Sequence, residues 1–121
     1  MLTHIFKRFK QHADNKQLVS QSSLELAKAH AYEEHAEHMT FSEQQSDMDH
    51  DIRNAMWFYL RAALRGDKEA QYKMGLSYLN GQLGLDRSYV HAEKWLDQAA
   101  HQGHPEARIE LHKAFDTLAC S

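Results

Sequence analysis

The sequence predicts an all-α protein, a short α-solenoid of two helix–turn–helix repeats preceded by an N-terminal helical cap. Three observations predict this fold: apolar residues recur at helical spacing, the second half repeats itself after 37 residues, and no convincing strand pattern occurs. A chain of 121 residues is about one domain long. We divide it into a basic amphipathic segment at 1–20, a capping helix with an acidic linker at 21–48, and repeats at 49–85 and 86–121.

The repeat becomes visible when the chain is aligned with itself at an offset of 37 residues. The alignment pairs Asp49 with Asp86, Ala55 with Ala92, Phe58 with Trp95, Ala62-Ala63 with Ala99-Ala100, Gly66 with Gly103, Ala70 with Ala107, Met74 with Leu111, and Tyr78 with Phe115. Self-similarity at a period of about 20–50 residues is typical of stacked units that bury their apolar faces against one another.

Within each unit the spacing of these residues predicts two helices. The first helix carries its apolar residues at i, i+3, i+4, i+7 and i+8, which places them on one face. Gly66 and Gly103 follow, where a helix ends in a left-handed residue. Asp67 then starts the second helix of one unit, and His104, followed by Pro105 at the first helical position, starts that of the other.

The pattern A-x-x-[FW]-[YL]-x-x-A-A-x-x-G-x-x-x-A-x-x-x-[ML], followed by Tyr78, Gly81 and Asp86, resembles the Sel1-like repeat, a relative of the tetratricopeptide repeat. His112 departs from it, because the family and the first copy have a glycine there, Gly75 in this chain. The resemblance implies an α-solenoid that acts as an adaptor or scaffold for other proteins and has no chemistry of its own.

The first half of the chain supplies the candidate cap. Ser22-Ser23-Leu24-Glu25 predicts a capping box at the start of a helix over Ser23–Met39. The polar and acidic stretch Thr40–Asp51 predicts a linker with at most one helical turn. Since two repeats alone leave apolar faces uncovered, a cap is needed.

One face of the first repeat has no counterpart in the second. Trp57, Leu60 and Leu64 lie opposite the alanine-rich stripe, whereas the equivalent residues 37 positions later are polar. Either the capping helix packs on this face, or part of it stays exposed for a partner protein or a second copy of the chain.

By analogy with related solenoids, the first helices of the units should line the binding surface. The residues so nominated are Trp57, Arg61, Leu64, Lys94, Gln98 and His101. We therefore expect a small adaptor or regulatory subunit that binds another protein, with a homodimer left open. We expect neither a catalytic residue nor a cofactor, because no nucleophile motif and no phosphate-binding loop occurs.

The charge distribution limits the class of partner that we expect, and the cysteine content indicates the cellular compartment. The net charge of −3 combines +3 in residues 1–20 with −6 in residues 21–54, and this acidic middle argues against nucleic-acid binding. The single cysteine, Cys120, excludes an intrachain disulfide and indicates the cytoplasm. No apolar run is long enough for a signal peptide or a membrane span, so we expect no stable membrane insertion.

Two further features leave alternative functions open. The N-terminal segment has apolar Leu2, Ile5, Phe6 and Phe9 at helical spacing among basic residues, so it could pack on the body or a partner, remain disordered, or recruit the protein to an anionic membrane surface.

The second feature is the content of ten histidines. His30, Glu34 and His38 share one helical face and are weak candidates for a metal site, which would make the chain a metal-binding protein. A solvated face is the favoured explanation, because one helix alone supplies these ligands. We expect His101, His104 and His112 at the surface or in turns.

Overall fold

The computed structural model describes residues 21–38 and 45–120, except for the side chains of residues 45, 46 and 115–120. The described part of the chain contains α-helices and no strand, which confirms the all-α class. The helices are α1 at residues 21–38, α2 at Gln45–Leu64, α3 at Lys68–Asn80, α4 at Tyr89–His101 and α5 at Pro105–Cys120. Our expectations for the segment 1–20 lie outside the described residues.

The helices pack one after another along the array. α3 lies between α2 and α4, and α5 packs on α4 and touches α3. α1 packs on α2 and α3 through hydrogen bonds and ring contacts. The interior is built from the small residues of the predicted stripes together with a few large ones, namely Ala29, Ala55, Tyr59, Ala62, Ala63, Ala70, Met74, Ala92, Trp95, Leu96, Ala99 and Ala107.

The turns between helices form as the sequence predicts. Gly66 and Gly103 have φ angles of +100° and +86°, in the left-handed region where a side chain is disfavoured. The Asp67 carboxylate accepts a hydrogen bond from the backbone N–H of Ala70 at 2.9 Å, which caps α3.

α3 and α4 approach each other closely at Gly75. A Cβ atom built on this glycine would lie 2.7 Å from the Cγ and Cδ2 atoms of Leu96, which is fully buried. The missing side chain therefore sets the distance between the two helices. The equivalent residue of α5, His112, is exposed.

α2 is longer than predicted. It begins at Gln45, so the prediction that residues up to Asp51 form a linker is wrong. Acidic residues such as Asp47 interact favourably with the positive end of the helix dipole, and Met48 and Ile52 are partly buried. Asp51 also forms a 2.5 Å contact with His35 of α1. These tertiary contacts stabilise a helix in a stretch whose composition indicates a linker.

The predicted capping box is also wrong. The chain is already helical at residue 21, so Ser22 is not the first residue of α1. Its hydroxyl donates to Asp67 at 3.4 Å, and the carboxylate of Glu25 accepts from Nε of Arg65 at 2.9 Å. Both side chains thus connect α1 to the turn between α2 and α3.

α1 packs on α2, and the position of this contact decides between the two alternatives left open for the face of Trp57, Leu60 and Leu64. Tyr32 stacks on Phe58 with ring centroids 5.8 Å apart. By contrast, Trp57 remains 51% exposed and Leu64 70% exposed. Leu60 is half-buried against the core, so only part of this face stays exposed, and the alternative that the capping helix covers all of it is wrong.

Candidate functional site

The exposed face of α2 combines two apolar side chains with a positive charge. Trp57, Arg61 and Leu64 follow one another at i, i+4 and i+7, so they share one side of the helix. The Arg61 guanidinium carbon lies 5.7 Å from the ring centroid of Phe58, a cation–π contact that holds the side chain near the helix. The opposite side of α2 is fully buried at Ala55, Tyr59 and Ala62.

The equivalent face of α4 is polar. Lys94 is exposed, and its Nζ lies 5.9 Å from the ring centroid of Trp95. His101 is exposed, with Nδ1 3.0 Å from the carbonyl oxygen of Asp97, and Gln98 is half-buried. The six nominated residues thus occupy equivalent faces of two helices, and α2 alone provides the apolar ones.

A cluster of polar side chains connects α1 to α2 and α3. The Tyr59 hydroxyl shares a 2.9 Å hydrogen bond with Nδ1 of His30. Lys73 of α3 donates to Glu33 of α1 at 2.8 Å, and its Nζ lies 5.5 Å from the Tyr59 ring. Burial, reinforced by the negative charges of Glu33 and Glu37, raises the pKa of Tyr59 above its usual range. The phenol therefore keeps its proton at neutral pH and can hydrogen-bond with His30 across the interface between α1 and α2.

The histidine-rich face of α1 is divided among different contacts. His30 is directed to Tyr59, and the neighbouring His35 contacts Asp51. Across residues 21–38 and 45–114, no group of three or more His, Cys, Asp and Glu side chains is placed to hold a metal ion. Glu34 and His38 are exposed.

His104 lies in the turn before α5, as predicted, but the sequence did not predict that its side chain is buried. It is only 3% exposed, stacks on Tyr72 at 4.3 Å and lies 3.2 Å from the carboxylate of Glu69. Its Nδ1 accepts from the backbone N–H of Ala107 at 3.1 Å, so it caps α5. The position of His104 just before Pro105 indicates a helix cap. Its burial depends on contacts with α3, which the neighbouring sequence does not reveal.

Comparison with known proteins decides the family. The Sel1 repeat matches residues 35–67 and 68–104, which together make up more than half of the chain. The chain belongs to the Sel1-repeat family. No curated protein and no solved structure matches it.

The segments matched by the Sel1 repeat have different boundaries from the units 49–85 and 86–121 that we predicted for this Sel1-repeat protein. The segment 68–104 contains α3 and α4, and the segment 35–67 contains the end of α1 and all of α2. Because the helices recur every 37 residues, a repeat unit can be defined as starting at either of its two helices without changing the period. The division into units therefore stays a prediction.

Family membership carries a general statement about function. Sel1 repeats are generally protein–protein interaction modules and are typically non-catalytic. In the described ranges, none of the helices combines the length and the apolar character that crossing a bilayer requires.

Proposed function

We propose that this Sel1-repeat protein is a non-catalytic adaptor or regulatory subunit that binds a partner protein through the exposed faces of α2 and α4. One observation carries the proposal: Trp57 and Leu64 remain 51% and 70% exposed on a helix whose other side is buried. Large apolar side chains of this kind, next to an arginine, are typical of the residues that dominate binding energy at protein interfaces.

The six residues have different roles in the proposed interface. Trp57 and Leu64 are the apolar anchors, and Arg61 between them offers charge-assisted hydrogen bonds to carboxylates or carbonyl groups of the partner. Lys94, Gln98 and His101 of α4 form the polar rim, which contributes orientation more than affinity. The single cysteine of the chain supports a reducing compartment, and we propose the cytoplasm.

Affinity capture followed by binding measurements tests this surface. The test variant is Trp57→Ala/Arg61→Glu, and the matched control is Ile109→Ala/Arg108→Glu, which alters one exposed apolar residue and one exposed arginine on α5. We expect wild type and control to recover the same partner, and the test variant to bind the purified partner at least ~30-fold more weakly, as for loss of a ~2 kcal/mol hot spot.

Circular dichroism should show the same helix content in all three chains, because each substituted residue is exposed. Equal recovery of partners by wild type and the test variant would remove the α2 face from the proposal.

A further inference from the structure

A groove lies between α1, the start of α2, Lys73 of α3 and the loop at residues 81–84. Its volume is about 420 Å³. Ala36, Met48, Ile52 and Leu83 supply apolar surface, and none of the six residues proposed above for partner binding lines it. This groove is therefore a second surface, separate from the exposed faces of α2 and α4.

The charged residues of the groove are predominantly negative. Among the residues that the structure describes, Glu33 and Glu37 of α1 line it together with one ammonium group, that of Lys73. Lys73 is already bonded to Oε1 of Glu33 at 2.8 Å. Oε2 of Glu33 is buried and has no hydrogen-bond partner in the described part of the chain, while Glu37 is exposed. Among the described lining residues, Lys73 thus compensates one of the two carboxylates and leaves that of Glu37, and this excess negative charge beside an apolar floor favours a basic and amphipathic occupant.

We propose that this groove binds the protein's own N-terminal segment, residues 2–10. In that segment Leu2, Ile5, Phe6 and Phe9 recur at helical spacing, and Lys7, Arg8 and Lys10 are interspersed with them. The apolar residues match the floor of the groove, and the cations match the carboxylate of Glu37, which Lys73 does not pair with. The charge of +3 in residues 1–20 opposes −6 in residues 21–54, so attraction acts within one chain.

The chain is long enough to make this connection. The groove residue Glu37 lies 16 positions after residue 21, which corresponds to about 24 Å along α1 at ~1.5 Å per residue. Residues 11–20 span up to about 33 Å when extended. They can therefore return residues 2–10 along α1 to the groove.

Two other occupants must be distinguished from this one. The connection at residues 39–44 carries Met39 and Phe41, but it has Glu43 and no basic residue, so its charge does not match the groove. The N-terminal segment of a second copy has the right chemistry, but it requires association between chains.

Paramagnetic relaxation in the full chain tests the proposal. A nitroxide attached at Gln82→Cys, in a chain with Cys120→Ser, lies on the exposed loop beside the groove. We expect it to broaden the amide signals of residues 2–10. The same label at Arg108→Cys on α5, which lines no part of the groove, should leave those signals sharp.

Charge variants check the cause of the broadening. Glu37→Lys should reduce it several-fold, whereas Glu34→Lys, the same change at an exposed position of α1 outside the groove, should not. About 1 M salt should also reduce it, because the Debye length falls to ~3 Å.

Three results would overturn the proposal. Residues 2–10 that stay sharp with the Gln82→Cys label show that the segment does not dock. Broadening confined to residues 39–44 assigns the groove to the connection. Broadening of an isotope-labelled chain by the nitroxide on a different chain assigns it to a second copy. None of these results bears on the α2 face, so both proposals fail or stand separately.

Discussion

Tyr59 and Leu96 hold equivalent positions, 37 residues apart, yet they meet different neighbours. Leu96 of α4 contacts Gly75, which has no side chain. Tyr59 of α2 contacts His30, whose ring lies edge-on at 5.4 Å and shares its hydrogen bond. A close apolar contact in the middle of the array is thus replaced by a polar and directional contact at α1.

The buried Tyr59 hydroxyl predicts an alkaline loss of stability. Its folded-state pKa is raised, chiefly by burial and then by the charge of Glu33, whereas the unfolded phenol ionises near the ordinary value of 10.0. Above pH 10 the unfolded chain therefore releases a proton that the folded chain keeps. The free energy of unfolding should fall with rising pH, by at most ~1.4 kcal/mol per pH unit from this group.

Urea unfolding between pH 8 and 11 measures this slope. Tyr59→Phe should flatten it, at a cost of about 0.5–1.5 kcal/mol at neutral pH for the lost hydrogen bond. Burial also raises the pKa of Tyr72, so Tyr59→Phe/Tyr72→Phe should flatten the slope further. If Tyr59→Phe loses stability as steeply as wild type above pH 10, the slope does not originate at this phenol.

At the scale of residues, local rules predicted local geometry well. Gly66, Gly103 and Asp67 act through neighbours within a few positions of the chain, and the structure confirms all three. Ser22 and Glu25 also match a local motif, but their partners Asp67 and Arg65 lie 45 and 40 positions away. The motif failed because longer-range partners competed for the same side chains.

At the scale of helices, the contact between α3 and α4 depends on one absent side chain. Gly75→Ala would place a Cβ atom 2.7 Å from the side chain of Leu96 and 3.2 Å from its backbone nitrogen. We expect overpacking of about 1–3 kcal/mol, partly offset by the ~1 kcal/mol better helix propensity of alanine. Chemical denaturation measures the net loss.

Leu96→Ala provides the matched control, because it removes the Cγ and Cδ2 atoms that the new Cβ would meet at 2.7 Å. By itself this change should cost about 2–5 kcal/mol. In its background, Gly75→Ala should become neutral or stabilising. An unchanged cost of Gly75→Ala in both backgrounds would show that Leu96 does not set the spacing of the helices.

The buried faces of the repeated helices could be predicted from the sequence, whereas the packing position of α1 could not. The alanine-rich stripes of α2 and α4 identify their buried faces without any knowledge of the fold. α1 has few large apolar side chains, so its sequence alone did not indicate that it would contact Phe58 and Tyr59. The start of α2 was missed for a related reason, since Asp51 finds its partner His35 on another helix.

At the scale of the whole molecule, a linear array predicts unequal stability along the chain. α3 lies between α2 and α4, whereas α1 is the first helix of the described part of the chain and contacts the array through several ion pairs. In such arrays each unit is stabilised by its neighbours, and terminal elements open at lower cost.

Two side-chain truncations should distinguish the stability of α3, inside the array, from that of α1. Met74→Ala, at a buried position of α3, should cost about 2–5 kcal/mol and lower hydrogen-exchange protection in α2, α3 and α4 together. Leu26→Ala, at a partly buried position of α1, should lower protection in α1 alone. Equal loss of protection in all helices from Leu26→Ala would show that α1 unfolds only with the rest of the array.

The overall architecture was the most predictable level, because a period of 37 residues constrains many positions at once. The exposed surface was the least predictable, because surface residues have no packing partner to which a pattern can be matched. Trp57 illustrates this: its sequence position was compatible with burial under α1 and with exposure, and only the docking of α1 on Phe58 distinguishes the two.

The exposed His112 limits how this array could be lengthened by engineering. It stands 37 residues after Gly75, at the point where the next helix would approach α5 as α4 approaches α3. An imidazole would occupy the space that Gly75 leaves to Leu96. A designer who fuses a further repeat after α5 must therefore first replace His112 with glycine, or accept a wider and weaker junction.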